Sequence, residues 1–154
     1  MIHYTKGNIL ESSAKVLVNP VNTVGVMGKG LALQFKKEYP FNFSEYKEVC
    51  KEKKLNIGGY LAVKEKNKII LNIPTKEDWR NPSKYEYVEA GLKAISKFLK
   101  ERPFGDNDPE AKIDSIAIPP LGCGNGGLEW EKVKQLIESY LGNINLNILV
   151  YVPN

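Results

Sequence analysis

Residues 113–130 read Ile-Asp-Ser-Ile-Ala-Ile-Pro-Pro-Leu-Gly-Cys-Gly-Asn-Gly-Gly-Leu-Glu-Trp. The apolar run Ile113–Ile118 reads as a strand, and the glycine-rich loop Gly122–Gly127 follows it. Trp130, Val133, Ile137 and Leu141 then recur at helical spacing up to Gly142, a residue that often closes helices. Strand, glycine loop and helix in that order is the building unit of an α/β sheet.

The unit recurs upstream. Val16–Asn19 suits a strand, the loop Gly25-Val26-Met27-Gly28-Lys29-Gly30 follows, and Gly30–Tyr39 carries Leu31, Phe35 and Tyr39 on one helical stripe ended by Pro40. Phe43, Tyr46 and Cys50 extend the pattern into a second helix reaching about Lys53. Gly58-Gly59 breaks the chain before Tyr60–Val63, and Lys68–Ile73 is a β-branched run of the kind found in buried central strands. Ser83 and Glu86 have the spacing of a capping box, opening a helix striped by Val88, Leu92, Ile95 and Leu99. Residues 103–112 form a polar loop to which no function is assigned. Ile2–Thr5 and Leu146–Val152 complete the strands. A three-layer α/β/α domain with a mixed, largely parallel sheet is expected over residues 1–154.

Composition narrows the function. The chain has 154 residues, 42% hydrophobic and 26% charged, enough for one domain with its own core. No run approaches the ~18 apolar residues of a membrane span, and Met1–Lys6 lacks the apolar stretch of a secretory signal. A cytoplasmic monomer without membrane attachment is expected. Cys50 and Cys123 have no metal-ligand or disulfide spacing, and the single histidine, His3, weakens His-based catalysis. The net charge of +4 permits an anionic partner, although solubility accounts for it equally well.

Both glycine loops stand at strand-to-helix junctions, where backbone amides and a helix N-terminus favour an anion. Two such loops in one domain suggest a diphosphate held between them, in the crevice where open α/β sheets bind ligands. Neither loop has the GxxxxGK[ST] phosphate pattern. Gly122, Gly124 and Gly127 formally match GxGxxG, but only one strand follows, so a dinucleotide-binding half cannot be completed.

Gly7-Asn8-Ile9, Val18-Asn19-Pro20-Val21-Asn22, Gly28-Lys29-Gly30-Leu31-Ala32 and Pro119-Pro120-Leu121-Gly122-Cys123-Gly124 together resemble the macrodomain family, whose members bind ADP-ribose. The resemblance runs in order from Thr5 to Tyr151. Ile73-Pro74-Thr75-Lys76, Trp79-Arg80 and Gly122–Trp130 are similar to one branch, which contains a terminal ADP-ribose protein glycohydrolase and a DNA ADP-ribosyl glycohydrolase antitoxin. Asn22 and the Gly-Asn-Gly-Gly loop look closer to the antitoxin.

The resemblance implies an ADP-ribosyl hydrolase in which Lys76 acts at the distal ribose C1″, with no metal or other cofactor. It implies ADP-ribose binding by Asn8, Ile9, Asn22, Gly28, Lys29, Gly30, Leu31, Gly122, Cys123, Gly124, Asn125, Gly126, Gly127 and Tyr151. Tyr151 would stack on adenine, and Trp79 is a candidate substrate contact. ADP-ribosylated single-stranded DNA is the favoured substrate and a toxin the implied partner. ADP-ribosylated acidic protein side chains, or a non-catalytic ADP-ribose-binding module, are the alternatives. Two departures stand out. Asn8 replaces an aspartate that holds the adenine amino group in many relatives, and Gly126 stands where the protein-directed member has an aspartate. Asp78 and Glu129 are then the nearest candidates for a helper carboxylate.

Overall fold

The computed structural model describes residues 1–105, 107–109 and 112–154. The strands are β1 (Ile2–Thr5), β2 (Val16–Val21), β3 (Leu61–Glu65), β4 (Lys68–Pro74), β5 (Ser115–Ile118) and β6 (Asn147–Tyr151). The α-helices are α1 (Gly30–Glu38), α2 (Pro40–Lys51), α3 (Tyr85–Glu101) and α4 (Trp130–Leu141). The strands form one sheet in the order β1-β6-β5-β2-β4-β3. Every pairing is parallel except β3 with β4. Those two are joined through Lys66 and Asn67, both at positive φ, as a tight hairpin turn requires. No helix among the described residues is long and apolar enough to cross a membrane.

Alternation along the strands sorts the core into two faces. Val16 and Val18 of β2 and Ile69, Leu71 and Ile73 of β4 pack with Val88, Leu92, Ile95 and Phe98 of α3 and Val133, Ile137 and Leu141 of α4. Leu17 and Ile70 face the opposite way, toward Phe35 and Tyr39. This is the expected three-layer arrangement. The run 68–73 is buried as expected, although β4 lies second from the sheet edge rather than at its centre.

One polar cluster interrupts the second face. Asn19 and Asn72 are register partners on β2 and β4, and both are fully buried with Asn42 of α2. Asn19 Nδ2 donates to Asn72 Oδ1 at 3.1 Å, and Asn72 Nδ2 donates to Asn42 Oδ1 at 2.8 Å. These bonds fix α2 over the sheet in one register.

Element ends differ from the sequence expectations for identifiable reasons. β5 begins at Ser115, where its pairing with β6 begins, rather than at Ile113. β2 runs on to Val21 through Pro20. Past Leu17 it is paired with β4 but not with β5, an edge-like setting that tolerates proline. α2 starts at Pro40, so the proline that ends α1 occupies the first turn of the next helix. It ends at Lys51, short of Lys53, which sits at φ 58°. The capping box does not form. Lys84 is the cap residue of α3, and the Ser83 hydroxyl donates to the carbonyl of Thr75. Gly142 does end α4, but at φ −62°; a Cβ there would lie 2.5 Å from the Glu138 carbonyl oxygen, so bulk rather than backbone handedness favours glycine. The polar loop at 103–112 lies partly outside the described residues.

Candidate active site

The carboxyl ends of β2, β4 and β5 meet at one edge of the sheet, and a cavity of about 200 Å³ opens there. Pro20, Val21 and Asn22 come from the end of β2, Thr75 and Lys76 follow β4, and Pro119 and Pro120 follow β5. Gly28, Lys29, Leu31 and Ala32 supply one wall; Gly122, Cys123, Asn125 and Gly126 supply the other. Val26 and Trp79 complete the lining. A second cavity, of about 500 Å³, is bounded by Gly7, Asn8, Ile9, Gln34, Tyr151, Val152 and Pro153. Leu31, Pro119 and Pro120 line both, so the cavities share one floor.

Most residues singled out from the sequence therefore fall on one of two adjoining cavities. Gly30, Gly124 and Gly127 line neither. Their positive φ values, 62°, 66° and 81°, assign them to shaping the loops. Gly30 has a further constraint: a Cβ there would come within 2.9 Å of Asn125 Nδ2, so the two glycine loops meet at this point.

The loops offer unequal anion sites. At α1 no side chain caps the amides and no acid stands in the first turn, so its positive end is open to a ligand. The second loop runs into a single 3-10 turn, Gly124–Gly126, before α4. Glu129 and Glu131 already occupy the start of α4, so that helix adds little positive potential to the site.

Lys76 is half-buried, and its Nζ donates to the carbonyl oxygen of Asn125 at 3.0 Å. Burial first, and then repulsion from Lys29, hold its pKa below the ordinary lysine value. Among the described residues the cavity lining holds two cations and no carboxylate. Such a site suits an anionic ligand and leaves Lys76 without an acidic partner. Neither candidate helper carboxylate lines it. Asp78 accepts two bonds from the Arg80 guanidinium, which with the Arg80 amide lowers its pKa to about 2, and Glu129 is exposed. Gly126 explains why no acid replaces them. A Cβ there would lie 3.1 Å from Ser83 Cβ and 3.9 Å from Lys76 Cε, so a side chain would have to squeeze between the two.

Other candidates resolve individually. Asn22 spends its side chain on its own loop: Oδ1 accepts from the amides of Val24 and Val26, and Nδ2 donates to the Val26 carbonyl. Asn8 caps a 3-10 turn through Leu10 N. Burial raises the Cys123 pKa, keeping it a thiol. His3 is exposed on β1.

Two supporting residues were not legible as such. Fully buried Tyr46 reaches from α2 with its hydroxyl 2.8 Å from both Asn22 O and Asn22 Oδ1, holding the first loop. Ser83 ties Thr75, beside Lys76, to the second loop, because its amide also donates to Gly126 O at 2.9 Å. A helical stripe announced Tyr46 only as core, and Ser83 carried only a capping signal.

The fold is a parallel-centred α/β/α sandwich whose carboxyl edge carries two glycine loops around a cavity suited to an anion. The Macro domain family model matches residues 18–137, and the chain belongs to that family. It is 44% identical over 161 residues to a DNA ADP-ribosyl glycohydrolase of Thermus aquaticus, covering 99% of this chain and 41% of that protein. The chain thus spans about two fifths of the length of the DNA ADP-ribosyl glycohydrolases it matches. The macrodomain of Mycobacterium tuberculosis DarG superposes with a TM-score of 0.91 at 42% identity, covering 100% of this chain and 99% of that one. Thermosipho africanus DarTG, solved in complex with ADP-ribose, gives 0.87 at 33% identity, covering 99% of this chain and 41% of that one.

Proposed function

We propose that the chain is a hydrolase that removes ADP-ribose from modified DNA, with Lys76 acting at C1″ of the distal ribose. The observation that carries the reading is the placement of Lys76. It is a partly desolvated amine at the carboxyl edge of the sheet, in a cavity that also holds Lys29 and adjoins a second cavity flanked by Tyr151. The larger cavity takes the adenosine end, the glycine loops take the diphosphate, and the distal ribose lies against Lys76.

In its neutral form the Lys76 amine attacks C1″. A C1″–nitrogen bond forms, the bond from C1″ to the DNA breaks, and the departing base takes a proton from water. Water then adds at C1″, releasing ADP-ribose and the free amine. The sequence consumes only water. DNA is favoured as substrate because relatives above 40% identity over nearly the whole chain carry DNA ADP-ribosyl glycohydrolase names. A toxin that attaches the mark is the corresponding partner, and the cytoplasm the compartment.

The test compares Lys76→Ala with the unaltered protein on an ADP-ribosylated single-stranded oligonucleotide and on a glutamate-ADP-ribosylated protein. Release from the oligonucleotide should fall by orders of magnitude in the variant, while ADP-ribose affinity by calorimetry stays within a few fold. Release only from the protein would reassign the substrate. ADP-ribose binding without turnover on either would make the chain a binding module.

A further inference from the structure

The large apolar side chains exposed among the described residues are Met1, Tyr4, Val24, Val26, Phe41 and Trp79. Two of them, Val26 and Trp79, line the Lys76 cavity. Val26, in the first glycine loop, is 37% exposed, and Val24, just before that loop, is 50% exposed; Trp79, after β4, is 43% exposed. Val26 and Trp79 both line the cavity, one from each loop. Their exposure is not slackness. Thr23 joins the loops, its amide and hydroxyl both donating to the Glu77 carbonyl at 3.1 and 2.9 Å. Asn22 pins the backbone of Val24 and Val26 from below. A polar scaffold thus holds apolar side chains out in water, an arrangement that marks a binding surface.

The charge around this mouth selects the occupant. Lys29 and Lys76 line the cavity. Arg80 is fixed beside Trp79, its Cζ 5.7 Å from the ring centroid, by two guanidinium bonds to Asp78. Of the neighbouring acids, Asp78 is balanced by Arg80, while Glu77 accepts from the Tyr87 hydroxyl at 2.7 Å and keeps its charge, so the positive charge at the site comes from Lys29 and Lys76. On the proposed binding mode the group attached to C1″ leaves the cavity beside Val26 and Trp79, near Lys29 and Lys76. A flat base flanked by phosphates matches both properties. An aliphatic ester on an acidic side chain offers neither a flat face nor a phosphate.

We infer that Val26 and Trp79 are the two jaws of a clamp for the modified base of single-stranded DNA, with Arg80 meeting an adjacent backbone phosphate. The inference rests on the proposed DNA substrate and adds how that substrate is gripped. A base held between two jaws has left its stack, so the clamp favours an unpaired strand over a duplex.

The test uses the whole chain with Val26→Ser, Trp79→Ala, Trp79→Phe and the Val26→Ser/Trp79→Ala pair. The substrate is an ADP-ribosylated oligonucleotide, single-stranded or annealed to its complement. Trp79→Ala should lower kcat/KM on the single strand about tenfold, as expected for lost stacking, with Trp79→Phe retaining most of the rate, and Val26→Ser should lower it by a smaller factor. Annealing should slow the unaltered protein and alter the paired variant little. Both side chains are exposed, so the unfolding temperature should stay near the original value. Unchanged single-strand turnover in the variants, with Lys76 still required, would overturn the clamp and leave the glycohydrolase reading standing. No release from modified DNA by the unaltered protein would instead remove the reading beneath it. Equal losses on a glutamate-ADP-ribosylated protein would show that the jaws do not read bases, which also overturns the clamp.

Discussion

Ser83→Ala removes one oxygen and keeps the Cβ and amide, so the bond to Gly126 O and the packing against Gly126 survive. What disappears is the hydroxyl bond to the Thr75 carbonyl, at a residue 5% exposed. A typical buried hydrogen bond contributes about 1 kcal/mol net, and stranding its acceptor raises the loss to about 1–3 kcal/mol. For a domain of this size each kcal/mol lowers the unfolding temperature by roughly 2–4 °C, so a fall of about 2–12 °C is expected. The same change should weaken ADP-ribose several-fold, because Thr75 and the second loop lose a shared anchor beside Lys76. Scanning calorimetry and ligand titration on one preparation measure both. An unfolding temperature within about 1 °C of the original would refute the reasoning, since the stranded carbonyl should not be cost-free. A loss beyond about 4 kcal/mol would refute it from the other side, since no single hydroxyl accounts for that much.

Lys76 and Gly30 give two further expectations. The folded-state pKa of Lys76 is lowered, chiefly by burial and then by Lys29. The folded protein thus releases this proton more readily than the unfolded chain. Its charge weighs against folding below the lowered pKa, and that penalty fades as pH rises toward the ordinary lysine value. If the neutral amine is the nucleophile, the rate rises with pH along a limb set by the same lowered pKa. Lys29→Met removes the second cause and should move the limb to higher pH in a pH–rate profile; an unmoved limb would deny Lys29 that influence. Gly30→Ala places a Cβ against Asn125 Nδ2 at a positive φ, and should cost about 1–2 kcal/mol with weakened ADP-ribose binding. Unaltered melting and titration curves would count against the loop contact.

The layers were legible because burial leaves a periodic trace. Val16–Val18 and Ile69–Leu71 are buried on both faces and read as continuous apolar runs, while Val88, Leu92 and Ile95 repeat at helical spacing. The two glycine loops were legible because positive φ admits few residues besides glycine, as at Gly30, Gly122 and Gly124. Their meeting across the cavity was not, since residues 30 and 125 carry no sign of proximity in the chain. Ser83 misled for a physical reason. A hydroxyl three residues before a glutamate can cap a helix, but the buried carbonyl of Thr75 competes for it and prevails. The clamp residues were half visible: a tryptophan beside Lys76 invites attention, whereas Val26 looks like any loop valine until Asn22 and Thr23 are seen holding its loop in place.

The floor shared by the two cavities, Leu31 with Pro119 and Pro120, has a kinetic consequence. On the proposed reaction, everything bound along that floor is common to substrate and product, and only the group beyond C1″ changes. Contacts made equally to both states strengthen occupancy without lowering the barrier. Free ADP-ribose should therefore be a competitive inhibitor with a constant close to its own dissociation constant, and turnover should slow as it accumulates. A rising pool of free ADP-ribose then raises the apparent KM for the substrate and leaves kcat unchanged.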